Sequence, residues 1–118
     1  MKIVKMTEVP RQSAVAPLFT APVTRQAIVS DSKEVVINIV NFGKGVKNKL
    51  HSHSVDQVLV VTAGKGYVAT EKEKRVVTVG DVIWFPAGEK HWHGATEDSD
   101  FSHITVARVG GKTTQLEE

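Results

Sequence analysis

The chain of 118 residues contains no cysteine. That absence excludes disulfides, thiolate metal sites and cysteine nucleophiles, so any metal must be held by His, carboxylate or amide donors. Long apolar runs are missing too: none approaches the ~20 residues that cross a bilayer, and MKIVKMTEVPRQ lacks the apolar stretch of a secretory leader. Neither sign of charge dominates. Fifteen Lys plus Arg stand against thirteen Asp plus Glu, a net charge of +2, and the basic residues are scattered rather than massed. No nucleic-acid or membrane partner is expected from this pattern, and a cytoplasmic location is. There is no phosphate loop, zinc-finger spacing or dinucleotide fingerprint. Ser52, His53 and Asp56 do not make a triad, because neighbours in a strand point to opposite faces. Aromatic residues are few, at 6%. Without a basic platform around them, Trp84 and Trp92 read as packing or interface residues.

What is present is a series of short β-branched runs: EVVINIVNF, QVLVVTA, GYVAT, RVVTVG, DVIWFP and FSHITVARV. Each has the length of a strand, and turn signals separate them: GKG at 43–45, AGKG at 63–66, EKEKR at 71–75, VGD at 79–81 and PAGE at 86–89. No helical period of useful length appears. The pattern predicts one all-β domain, a sandwich or small barrel, with residues 34–108 as barrel core. Residues 1–33 are looser, with Pro10, Pro17 and Pro22, and read as a wrapping arm in which KIVKM and QAIVS are possible edge strands. VLVV and VIWF are apolar on both strand faces, which calls for a cover on the outside of the barrel. A second copy of the chain is the simplest cover, giving a homodimer; the arm folding back is the other, and both can hold.

The five histidines are the most informative residues. His51 and His53 form one HxH pair, His91 and His93 another, and His103 lies in the last long apolar run. If HSHSVDQVLVV is one extended strand, His51, His53 and Gln57 share a face, and a curved sheet would let them converge on one ion.

These residues sit in two spaced motifs. GVKNKLHSHSVDQVLVVTAG, Gly45 to Gly64, resembles the first motif of the cupin superfamily: Gly, five residues, HxH, three residues, Glu or Gln, six residues, Gly. GDVIWFPAGEKHWHGA, Gly80 to Ala95, resembles the second: Gly, five residues, PxG, two residues, His. The one departure is Ala95, where the family often has Asn. The resemblance implies a cupin-type double-stranded β-helix, a jelly-roll barrel, with one divalent metal held by His51, His53, Gln57 and His91. Manganese is the first expectation, with iron, nickel or zinc as alternatives. Gly45, Gly64, Gly80 and Gly88 would occupy tight turns.

Most metal-binding cupins carry Glu where Gln57 stands. A neutral amide leaves the site one unit more positive, which should strengthen Lewis acidity, favour an anionic ligand and disfavour ferric iron. The Gln, the string GEKHWHGA, the late histidine and APLFTAP at 16–22 are similar to small single-domain bacterial cupins that include manganese-dependent hydroxynitrile lyases. That resemblance implies a small-molecule substrate and a Lewis-acid lyase, with His103 as base, His93 as a proton relay or pocket cap, and Asn38 and Val40 as pocket walls. A cupin dioxygenase acting on a small aromatic or diketone substrate, and a noncatalytic small-ligand-binding cupin, are the alternatives.

Overall fold

The computed structural model describes residues 1–118. Its ten strands are β1 (Gln12–Ala14), β2 (Val23–Val29), β3 (Val35–Phe42), β4 (His51–His53), β5 (Gln57–Thr70), β6 (Lys74–Thr78), β7 (Val82–Phe85), β8 (His91–Ala95), β9 (Phe101–Arg108) and β10 (Thr113–Gln115). The path runs β1-β2-β3-β9-β5-β8-β4-β10, with β6 and β7 also paired to β5, and it curls into the jelly-roll barrel expected from the motifs. Alternation of side chains does the sorting. On β9, Phe101, His103 and Thr105 are buried while Ser102, Ile104 and Val106 are half-buried on the other face. The inward residues meet in a cluster that includes Phe19, Val40, Phe42, Leu59, Val61, Phe85 and Phe101. Each large apolar side chain buried there contributes about 1.5–3 kcal/mol.

Two sequence expectations are corrected. AGKG at 63–66 is not a turn between strands: β5 runs through it without a break. Gly64 takes φ 71°, and the pairing with β9 shifts register between Val61 and Ala63. The strand bends at this bulge, so its first half pairs with β7 and β9 and its second half with β6 and β8. A Cβ at Gly64 would collide with the Asp100 carbonyl.

HSHSVDQVLVV, in turn, is not one extended strand. β4 ends at His53 and β5 begins at Gln57. Asp56 holds the break, accepting hydrogen bonds from the Ala87 N–H at 2.8 Å and Trp84 Nε1–H at 3.0 Å. The His pair and Gln57 thus reach the interior from separate strands, not from one strand face. Gly45, Gly80 and Gly88 do take positive φ, of 71°, 94° and 84°.

Residues 1–33 divide. β1 and β2 extend the sheet beside β3, whereas KIVKM forms no strand and runs into a 3-10 turn at Met6–Glu8. Buried Gln26 donates to the carbonyls of Met6 and Val9, tying this segment across the outer face. The segment covers one end of that face only. Val82 and Trp84 stay 64% and 62% exposed, beside the outward-facing Val58, Val60, Ile104 and Val106.

Candidate metal centre

β4 and β8 lie side by side with His51 directly opposite His91. Their ring centroids are 4.4 Å apart, and His53 stands 4.8 Å from His51 and 5.3 Å from His91. Each ring of the central pair is oriented in the same way: His51 Nδ1–H donates to the Lys49 carbonyl at 2.6 Å, and His91 Nδ1–H to the Glu89 carbonyl at 2.8 Å. With Nδ1 committed to a carbonyl two residues upstream, Nε2 of each ring carries a free lone pair. Phe85 stacks on His91 at 3.9 Å between centroids and fixes its plane.

Gln57 completes this group from β5, with Oε1 3.2 Å from His91 Nε2. Both atoms bring lone pairs to that contact, and a shared cation satisfies both. His53 adds a buried Nε2 with no hydrogen-bond partner, its Nδ1 being engaged with Thr113 Oγ1 at 2.9 Å. The donor set therefore fits a divalent metal.

His93 and His103 lie deeper, with ring centroids 4.8 Å apart. Ligand atoms of His51, His91 and His93 all fall within 4.8 Å of one another, so three buried histidines of this barrel could hold a metal ion. His93 has another commitment, however. Asn48 Oδ1 accepts from the His93 backbone N–H at 2.8 Å, which turns Asn48 Nδ2 toward His93 Nε2 at 3.2 Å. Nε2 must accept there, the ring proton lies on Nδ1, and buried Nδ1 has no partner. His103 engages Thr105 Oγ1 through Nδ1 at 3.1 Å and leaves Nε2 buried and unpartnered.

Burial pushes all five imidazoles toward the neutral form that binds metals and accepts protons. Desolvation, the largest cause for each, lowers His53, His91 and His103 to about 4, lowers His51, and holds His93 well below the usual range.

A cavity of about 130 Å³ opens on this cluster, lined by His51, His53, Gln57, His93 and His103 together with Asn38, Val40, Asn48, Thr105 and Arg25. It is smaller than the usual drug-sized pocket. A wider hollow of about 430 Å³ is lined by β6 and β7, by Val77, Ile83 and Phe85 as well as Val76, Val82 and Trp84, and no histidine lines it. The positions singled out in the sequence, His51, His53, Gln57, His91, His93, His103, Asn38 and Val40, thus meet around one interior. Sequence reasoning missed Arg25, Asn48, Thr105, Thr113 and Phe85. Asn48 and Phe85 fall at unspecified positions of the two motifs, and Arg25, Thr105 and Thr113 lie outside them.

Comparison with known proteins agrees with this geometry. The chain is 36% identical over 104 residues to the (R)-mandelonitrile lyase of Granulicella tundricola, covering 86% of this chain and 73% of that protein. It is 32% identical over 68 residues to the pectin degradation protein KdgF of Dickeya dadantii, covering 57% of this chain and 62% of that one. Among solved structures, a cupin-like protein from Thermotoga maritima superposes with a TM-score of 0.86 at 29% identity, covering 94% of this chain and 89% of that chain. The cupin domain family model matches residues 38–107, which hold every histidine described above, and the chain belongs to the cupin family.

Proposed function

We propose that this cupin is a divalent-metal-dependent lyase of Lewis-acid type acting on a small hydroxy or carbonyl compound, with hydroxynitrile cleavage as the leading reaction. The observation that carries it is the meeting of His91 Nε2 and Gln57 Oε1, lone pair to lone pair, beside the orphaned Nε2 of His53. The ligand set is His51, His53, Gln57 and His91. His93 is left out because its Nε2 already accepts from Asn48. Manganese is the first candidate, as the resemblance to small manganese-dependent cupins implies, and these donors suit iron, nickel and zinc as well. When bound, a divalent metal supplies Lewis acidity to the substrate oxygen, undiminished by any ligand carboxylate.

The chain's own residues handle the proton. His103 Nε2 is neutral, buried and free, and Thr105 steadies its other nitrogen. It removes the hydroxyl proton of a cyanohydrin. The carbon–nitrile bond then breaks, its electron pair leaves with cyanide and a carbonyl forms. His103 returns the proton to cyanide, so one hydroxynitrile yields one carbonyl compound and one hydrogen cyanide. The Nδ1–H of His93, a donor with no partner, is placed to orient or relay that proton. Asn38 and Val40 wall the cavity. The outer face around Val82 and Trp84 is covered by a second copy of the chain, because an apolar patch of this kind is costly to leave in water.

The test is anaerobic turnover of mandelonitrile or acetone cyanohydrin by manganese-loaded protein. Carbonyl product and hydrogen cyanide are expected in equal amounts, abolished by chelation and restored by metal. His103→Ala should keep the metal and lose roughly 10²- to 10⁴-fold in kcat. Turnover that consumes oxygen would move the assignment to an oxygenase. Metal binding without turnover of either compound would favour a noncatalytic binding role.

A further inference from the structure

Arg25 is unusual in its setting. It sits on β2 opposite Val40, which in turn pairs with His103, so its backbone lies two strands, about 10 Å, from the base at the cavity floor. Arg25 is exposed overall yet lines the cavity, and its guanidinium stands 5.5 Å over the Phe19 ring. No acid answers it. The four ion pairs of the chain are Lys2–Asp31, Lys65–Asp98, Arg75–Glu73 and Lys90–Glu71, and none includes Arg25. No Asp or Glu lines the cavity, and Arg25 is its one permanently charged side chain.

The charge balance of the site follows. Three imidazoles and an amide leave a divalent cation uncompensated, Arg25 adds a further positive charge, and the walls supply no negative one. Such a site favours an anion, and a planar guanidinium with unused donors matches a carboxylate in paired hydrogen bonds. The cavity of about 130 Å³ favours a compact ligand.

We infer that the preferred substrate is a small 2-hydroxy or 2-oxo acid, or a close relative, whose carboxylate is received by Arg25 while its hydroxyl or carbonyl oxygen faces the His51, His53, Gln57 and His91 group. This rests on the metal site proposed above and narrows its substrate class. Arg25 is a specificity residue. Neutral hydroxynitriles enter without its contact, so lyase activity toward them neither requires nor excludes it.

The experiment is calorimetric titration of zinc-loaded protein with matched pairs, lactate against lactamide and mandelate against mandelamide, and with inorganic phosphate. Within at least one pair the acid is expected to bind roughly 10- to 100-fold more tightly than its amide. Arg25→Gln should erase that preference and leave amide binding and zinc content unchanged; Arg25→Lys should keep part of it. The unchanged zinc content and melting temperature of Arg25→Gln show that its loss is local. Equal binding of acid and amide in every pair, absence of carboxylate binding, or a preference that survives in Arg25→Gln would each overturn the inference. Phosphate binding more tightly than both acids, with the same Arg25 dependence, would overturn the carboxylate in favour of a phosphate ester. The titrations are repeated on metal-free protein. If zinc does not bind, the metal reading fails by itself, and the Arg25 preference, weaker but present in the metal-free protein, still decides this one.

Discussion

Four of the five histidines fall into two pairs that share a barrel but differ in what engages the ring nitrogen already used, a backbone carbonyl or a side chain. His51 and His91 give Nδ1–H to the carbonyls of Lys49 and Glu89 and offer Nε2 to the cavity. His93 and His103 are buried more deeply and engage Asn48 and Thr105 instead. In the first group the backbone does the orienting, through a carbonyl two residues earlier, just before the strand begins. In the second the partner is a side chain, Asn48 brought to His93 from 45 residues away and Thr105 two residues after His103 on the same strand. Proximity alone puts His93 with His51 and His91. The hydrogen-bond ledger separates it from them, because an imidazole whose acceptor nitrogen is occupied has no lone pair to give a metal.

The largest expected effect breaks this comparison directly. His91→Ala, or His51→Ala, should reduce bound metal from about one per chain to nearly none, while His93→Gln should keep it and destabilise the fold by about 1–3 kcal/mol through the Asn48 network. Elemental analysis and calorimetry on the same preparations check this. Retention of metal in His91→Ala with loss in His93→Gln would exchange the roles of the two groups.

Acid should act on both groups together. Desolvation holds the folded His53, His91 and His103 near 4, whereas the unfolded chain protonates near 6.5. Between those values the unfolded state binds more protons, so stability is full above about 6.5 and falls as pH drops toward about 4. Metal-free protein should show a melting temperature that declines through this window, and His103→Leu should show a shallower decline. A flat profile in wild type would mean that the rings are not desolvated. In metal-loaded protein the same protons compete with the ion, so metal release is expected over the lower part of the window.

The smallest effect lies away from the site. Val82 is 64% exposed, so Val82→Glu should change monomer stability by less than about 1 kcal/mol while shifting sedimentation from dimer to monomer. Wild type sedimenting as a monomer would leave the outer face uncovered and remove the dimer from the proposal.

Much of the centre was legible before any coordinates. Two HxH pairs at strand spacing, a Gln four residues after the first pair's start-to-end step, and glycines at fixed offsets carried the barrel and its histidines. The error was to thread His51 to Gln57 along one strand: Asp56 pins a break there through contacts to Trp84 and Ala87, 28 and 31 residues away. Gly64 misled in the same way, reading as a turn while lying inside β5 just after its bulge. Arg25 and Asn48 were invisible because nothing local distinguishes them. Each matters through a partner brought to it by the fold, Val40 on the neighbouring strand for Arg25 and His93 for Asn48.

By itself the sequence determined which donors exist and that no carboxylate stands among the motif's candidate ligands. It also determined the alternation that sends His51 with His53, and His91 with His93, to the same side of a strand, since a period of two is a local property of extended backbone. Only the tertiary structure decided that Thr113 engages His53 and Asn48 engages His93, that Gln57 arrives from a separate strand, and that Arg25 lines the cavity. Those outcomes depend on pairings between distant segments, and a hydrogen bond or an uncompensated charge exists only once both partners have been brought together.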